Sequence, residues 1–207
     1  MREMWFAPLI VLLLVAALPA SAQPAQPAQA VPTVTDQDRV LGSPEAPITI
    51  VEYASMTCPH CAHFSNDVLP QLKEKWIDTG KARLVLRDFP LDEAALRAAM
   101  LARCAPPERF YPIIEGFFRE QSDWVVTGNW RAALKGVAAL LGIKGQQFDS
   151  CLADKALEDK ITQSRLTAST QYGVDATPTF FVNGQKFDGE PTLEAFDKLL
   201  SGLAEKS

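Results

Sequence analysis

ITIVEYASMTCPHC, residues 48–61, is the stretch on which the fold reading turns. Ile48–Ala54 is an apolar, β-branched run fit for a buried strand, interrupted only by Glu52. Cys58-Pro59-His60-Cys61 follows three residues later. Beyond it, Phe64, Val68, Leu72 and Trp76 recur every fourth residue and trace one apolar helix stripe, with Pro70 as an expected kink. A cysteine pair therefore sits where a buried strand hands over to a helix.

That position changes the chemistry of sulfur. The first turn of a helix leaves backbone N–H groups unpaired, and with the helix dipole they stabilise a thiolate. A cysteine so placed can fall from a pKa of about 8.5 to roughly 3.5–7.5. Cys58 is expected to be the exposed nucleophile, and Cys61, turned back into the first turn, to resolve mixed disulfides. A protonated His60 would favour the thiolate further; its alternative is a passive surface residue, the reading preferred for His63. Stabilising the thiolate stabilises the reduced protein, which makes the disulfide a better oxidant. The sequence thus points to a donor of disulfides more than to a reductant.

Working outward, Ala82–Phe89 reads as a second strand after the Thr79-Gly80 turn. From Asp92 to Tyr172 the pattern is helical: Asp92–Cys104, Pro107–Gln121, Asn129–Leu141, Gln146–Ala153 and Ala156–Tyr172, with Gly142 and Gly173 as stops. Strand character returns at Pro178–Val182. Asn183-Gly184 signals a tight hairpin into Gln185–Phe187, and a last helix runs from the N-cap candidate Thr192 to about Leu203. The fold class is α/β, one core with a helical insertion. Residues 34–91 and 173–207 form the core domain and 92–172 the insertion.

The chain has 207 residues, 47% hydrophobic and 22% charged, enough for a sizeable core. Its 20 Lys and Arg against 25 Asp and Glu give a net charge of −5, with no basic cluster, so a nucleic-acid partner is not expected. Arg2, the apolar run Phe6–Leu18 and Ala20-Ser21-Ala22 make residues 1–22 a cleavable export signal, the alternative being an uncleaved anchor. Gln23–Thr33 (QPAQPAQAVPT) reads as a disordered tether.

Glu52 is either a water-facing strand residue or a buried proton acceptor for Cys61, whose pKa burial would raise. Thr177-Pro178 suits a tight turn, its isomer open. Cys104 and Cys151 are left over in an oxidising compartment and are expected to form a structural disulfide; the alternative is two buried free thiols. Metal readings compete for the CxxC: half of a zinc site, or a copper carrier using Met56 and His63 as well. No second close cysteine pair supports zinc.

The combination of Glu52, Cys58-Pro59-His60-Cys61, the helical block and Thr177-Pro178 before a hairpin resembles the DsbA-type thiol:disulfide oxidoreductases of the bacterial periplasm, over about Arg39–Leu203. The resemblance implies a thioredoxin fold with an inserted all-helical domain. It implies that Glu52 is the family's buried acid, and that Pro178 is a cis-proline facing the cysteines, with Thr177 and Pro178 holding substrate. Thr177 stands where the best-known members carry Val. Expected substrates are reduced exported proteins; the expected partner is a quinone-linked membrane reoxidase of the DsbB kind. No cofactor, a monomeric state and a periplasmic location are expected. The runner-up activity is a disulfide isomerase or reductase.

Overall fold

The computed structural model describes residues 1 and 30–205. The expected export signal, Met1 apart, and most of the tether lie outside the described residues. The end of the tether segment is held in place: Pro32 is buried, and the Thr33 carbonyl accepts from Arg87 Nη2 at 2.6 Å.

Five strands, β1 (Val40–Leu41), β2 (Ile48–Ala54), β3 (Ala82–Asp88), β4 (Thr179–Val182) and β5 (Gln185–Phe187), form one sheet in the order β1-β3-β2-β4-β5. β2 and β3 are parallel, so the chain must cross over between them, and the helical segment after Cys58 does this. β4 lies antiparallel on the other side of β2, and β5 returns beside it. Asn183 (φ 48°) and Gly184 (φ 80°) both take the left-handed conformation that a two-residue hairpin requires, which is why Asn-Gly stands there.

Strand alternation divides the core. Ile50, Leu84, Leu86, Phe180 and Val182 face the large cluster that packs under the helices. Val51, Tyr53, Val85 and Phe181 face a smaller cluster with Ala168 and Val174. The side chains of β2 are buried on both faces, as a central strand of a mixed sheet demands.

The crossover departs from a simple kinked helix. α1 (Pro59–His63) continues through a π-helical stretch, Phe64–Val68, into α2 (Leu69–Leu72) and a second π-helical stretch, Lys73–Ile77. Pro70 has no N–H for the carbonyl four residues back. The ladder lengthens just before it instead, Leu69 N–H donating to the Phe64 carbonyl five residues away. The Phe64, Val68, Leu72 and Trp76 stripe stays buried throughout.

Between β3 and β4 run six helices: α3 (Glu93–Cys104), α4 (Phe110–Arg119), α5 (Gln121–Trp124), α6 (Trp130–Leu140), α7 (Gln146–Ala153) and α8 (Lys155–Gln171). α9 (Leu193–Ala204) closes the fold. Asp92, Asn129, Asp154 and Thr192 are N-caps whose side chains accept from Ala95, Ala132, Leu157 and Ala195 N–H. Asp92 and Asn129, expected as first helical residues, thus stand one place outside. The single helix expected over Pro107–Gln121 is split into a 3-10 turn, Pro107–Arg109, then α4 and α5. The break at Glu120 is held by the buried Trp124 indole, whose Nε1 donates to the Phe117 carbonyl at 3.0 Å.

β1 was not expected, because two residues in a polar, turn-rich stretch carry no period. Tertiary bonds hold that edge: Leu86 N–H donates to Tyr111 Oη at 3.1 Å, and the Tyr111 hydroxyl lies 2.8 and 2.9 Å from the Arg39 and Leu84 carbonyls.

Candidate active site

β2 ends at Ala54, and the Ser55–Thr57 turn delivers Cys58 as the N-cap of α1, in an extended conformation (φ −79°, ψ 121°). Pro59 follows in the first turn, where its missing N–H costs nothing. Cys58 and Cys61 are free thiols here, the reduced form of the pair. Cys58 is only 6% exposed, against the expectation of an open nucleophile, because the Thr177–Pro178 turn covers it. Its Sγ donates to the Thr177 carbonyl at 3.2 Å. Cys61 is fully buried, so Cys58 is the more accessible sulfur.

The Cys58 thiol is pulled down to about 5, first by a hydrogen bond from the Cys61 thiol, then by the Thr177 hydroxyl and the backbone N–H groups of Cys61 and His60, against burial. His60 contributes through its main chain; its side chain points into solvent. The reason lies in the helix start, where the N–H groups converge on the N-cap sulfur. Thr177 Oγ1 is buried and has no partner while Cys58 carries its proton, leaving its O–H available to the thiolate. Cys61 is pushed well above the ordinary thiol range by burial, its hydrogen bond to Cys58 and the charges of Glu52 and Cys58.

Glu52 lies mid-strand between Leu86 of β3 and Phe180 of β4, on the face of the large core, and is 1% exposed. Burial first, then the Cys58 charge, pushes its carboxyl up to about 8, and its Oε1 has no partner. The water-facing alternative is therefore excluded. The Thr177–Pro178 peptide is cis, beside Cys58. Cys104 and Cys151 are joined, with Cα atoms 5.7 Å apart, and tie the end of α3 to α7 away from the cysteine pair. His63 is exposed and pairs with Asp67 at 2.6 Å. No cluster of three or more His, Cys, Asp or Glu side chains able to hold a metal occurs among the described residues.

The structure adds residues that no local pattern marked. Gln121 Nε2, at the start of α5, donates to the carbonyls of Met56 and Cys58 at 2.9 and 3.0 Å. Thr57 Oγ1 donates to Asp92 Oδ2 at 2.7 Å, while Asp92 Oδ1 caps α3. Ser55 Oγ, in contact with Thr57 Oγ1, accepts from Leu91 N–H at 3.3 Å. The helical block thereby clamps the turn that carries the nucleophile at several points. Asp92 was legible as a helix start, though not as its cap; its bond to Thr57, across 35 residues of chain, had no local signal.

Residues 34–201 match the thioredoxin family model. Wolbachia pipientis alpha-DsbA1 shares 35% identity and a TM-score of 0.78, over 84% of this chain and 94% of that one. A protein-disulfide isomerase from Novosphingobium aromaticivorans shares 27% identity and a TM-score of 0.73, over 83% and 99%. A Rickettsia felis relative named as a protein-disulfide oxidoreductase is 35% identical over 84% of this chain. The chain spans 59%, 64% and 65% of the length of three such Rickettsia relatives. With its sheet order, helical insertion and Cys58–Cys61 pair at a helix start, the chain belongs to the DsbA-type thiol:disulfide oxidoreductases of the thioredoxin family.

Proposed function

We propose that this protein is a dithiol oxidase that donates the Cys58–Cys61 disulfide to exported proteins in a bacterial periplasm. The observation that carries the reading is the stabilised Cys58 thiolate, held near 5 above a buried Cys61. A substrate thiolate attacks Cys58 Sγ, the Cys58–Cys61 bond breaks, and Cys61 leaves with the electron pair. Neutral Glu52, held near 8, supplies the proton that this sulfur needs. A second substrate thiolate then attacks the substrate sulfur of the mixed disulfide. Cys58 leaves as the stabilised thiolate, and two electrons have passed from substrate to enzyme. Thr177 and Pro178, over the Cys58 sulfur, hold the substrate chain.

Regeneration runs in reverse, Glu52 carboxylate accepting the Cys61 proton as this thiol attacks. We assign reoxidation to a quinone-linked membrane partner of the DsbB kind. The export signal read in residues 1–22 supports the compartment, and among the described residues no helix is long and apolar enough to cross a membrane. The name of the Novosphingobium relative supports a second reading, disulfide isomerisation. Equilibration of the Cys58–Cys61 couple against glutathione separates the two. An oxidase gives a potential well above thioredoxin's, and a value around −270 mV overturns the oxidase assignment.

A further inference from the structure

Gln121 stands at a braced corner of the helical insertion. The chain breaks at Glu120, between α4 and α5, and two contacts fix that break against the core. Buried Trp124 donates to the Phe117 carbonyl, and Asn66, in the crossover after α1, donates through Nδ2 to the Phe118 carbonyl at 3.3 Å. From this corner the half-buried Gln121 carboxamide reaches back to the catalytic turn, 63 residues away in the chain. A carboxamide nitrogen carries two hydrogens, and here it meets two carbonyls, Met56 at 2.9 Å and Cys58 at 3.0 Å. The Cys58 carbonyl also accepts from Ala62 N–H at 3.1 Å, the first bond of α1. Two donors of different origin thus fix where that carbonyl points, and with it the N-cap conformation of Cys58. Met56 is buried, so without Gln121 its carbonyl has little water to turn to.

The Cys58 thiolate depends on that corner in two ways. Its main-chain donors, the N–H groups of His60 and Cys61, converge on Sγ only while residue 58 keeps its extended N-cap geometry, and α1 has no side-chain cap of its own to hold it. The carbonyls of residues 56 and 58 also carry partial negative charge close to a sulfur that itself becomes negative. The Nε2 hydrogens offset that charge where burial keeps water from doing so. We propose, resting on the dithiol-oxidase reading above, that Gln121 is a positioning residue through which the helical insertion sets the oxidising strength of the Cys58–Cys61 pair. Its carboxamide bonds main-chain carbonyls and neither sulfur, so it acts through the turn. The more the reduced thiolate is stabilised, the more oxidising the disulfide. Loss of the Gln121 bonds therefore weakens the pair as an oxidant.

The test is the Cys58 thiolate titration, followed by ultraviolet absorbance, together with the glutathione equilibrium at pH 7. Both are measured on the native protein, Gln121→Leu, Gln121→Asn and Asn129→Ala. Leucine keeps the bulk and removes the donors; asparagine keeps the carboxamide and shortens its reach, and carries the test alone should the leucine variant not fold. Each is expected to raise the Cys58 midpoint by about one pH unit, the worth of one net hydrogen bond. The equilibrium with glutathione is expected to become about tenfold less oxidising. Asn129→Ala loosens the same insertion by removing the cap of α6, and is expected to leave the midpoint in place. An unmoved midpoint in the Gln121 variants overturns the proposal. So does a shift in Asn129→Ala as large as theirs, which assigns the effect to general loosening of the insertion. A native potential near thioredoxin's, with the Gln121 shifts intact, overturns the oxidase reading and upholds Gln121 as the residue that tunes the pair.

Discussion

At the scale of single residues, the two sulfurs of one motif are driven apart by surroundings a few ångströms different. Cys58 meets convergent N–H groups, a thiol and the Thr177 hydroxyl, whereas Cys61 meets hydrocarbon and a neighbouring carboxylate. Cys58→Ala is therefore expected to abolish dithiol oxidation. Cys61→Ala is expected to keep attack on disulfides and accumulate mixed disulfides at Cys58, visible on non-reducing gels. Thiolate absorbance of Cys58 is expected to titrate near 5, and Thr177→Val to move the midpoint upward by removing a donor; an unmoved midpoint would deny the hydroxyl its role. Glu52 gives a stability signature. Its folded pKa, about 8, lies above its free value of 4.5, so its contribution to stability is complete below about 4.5 and is lost as the pH rises through about 8. In oxidised protein, where no Cys58 charge exists and burial still acts, the native chain is expected to lose stability relative to Glu52→Gln across that window. The loss is on the order of a few kcal/mol. Parallel urea denaturation curves from pH 5 to 8.5 measure it, and equal pH slopes would contradict it.

At the scale of elements, the insertion is tied to the catalytic turn by Gln121, and internally by Cys104–Cys151. Gln121→Leu leaves two carbonyls without their side-chain donor and is expected to cost about 1–2 kcal/mol in denaturant unfolding. Gln121→Glu, which faces those carbonyls with another acceptor, is expected to cost more. Removing both Cys104 and Cys151 frees a loop closed across a separation of 47 residues, worth up to about 4 kcal/mol in the chain-entropy model, with most oxidase activity kept. The contrast between these links also explains what the sequence could disclose. The strand–CxxC–helix handover, the Asn-Gly hairpin and the cap at Thr192 are local, and local rules read them. Glu52 was legible as an anomaly within an apolar run, though its burial depended on β3 and β4 arriving on either side. Gln121 reaching Cys58, Tyr111 stitching the β1 edge and the π-helical turns around Pro70 depend on partners that no periodicity marks.

At the scale of the whole molecule, redox state and folding stability are one quantity seen twice. The oxidised and reduced proteins share the sheet and the helical block, so most contributions cancel in the difference between them, that of buried Glu52 included except for the part of its shift that the Cys58 charge supplies. What does not cancel is the Cys58 thiolate, present only after reduction. Its folded pKa, about 5, lies below its free value of 9.0. A depressed acid stabilises the fold fully above the free value, and the contribution disappears as the pH falls through the folded one. The short loop closed by the Cys58–Cys61 disulfide constrains the unfolded chain, but by an amount that does not change with pH. The reduced protein is thus expected to gain on the oxidised protein as the pH rises from about 5 toward 9, and to have the higher Tm at pH 7. Calorimetric scans of both redox forms at pH 4, 5.5, 7 and 8 test this directly. A Tm gap that widens with pH in favour of the reduced form means that folding energy drives the disulfide onto substrates. A gap that is constant with pH, or that favours the oxidised form throughout, would leave the pair no thermodynamic reason to act as an oxidant.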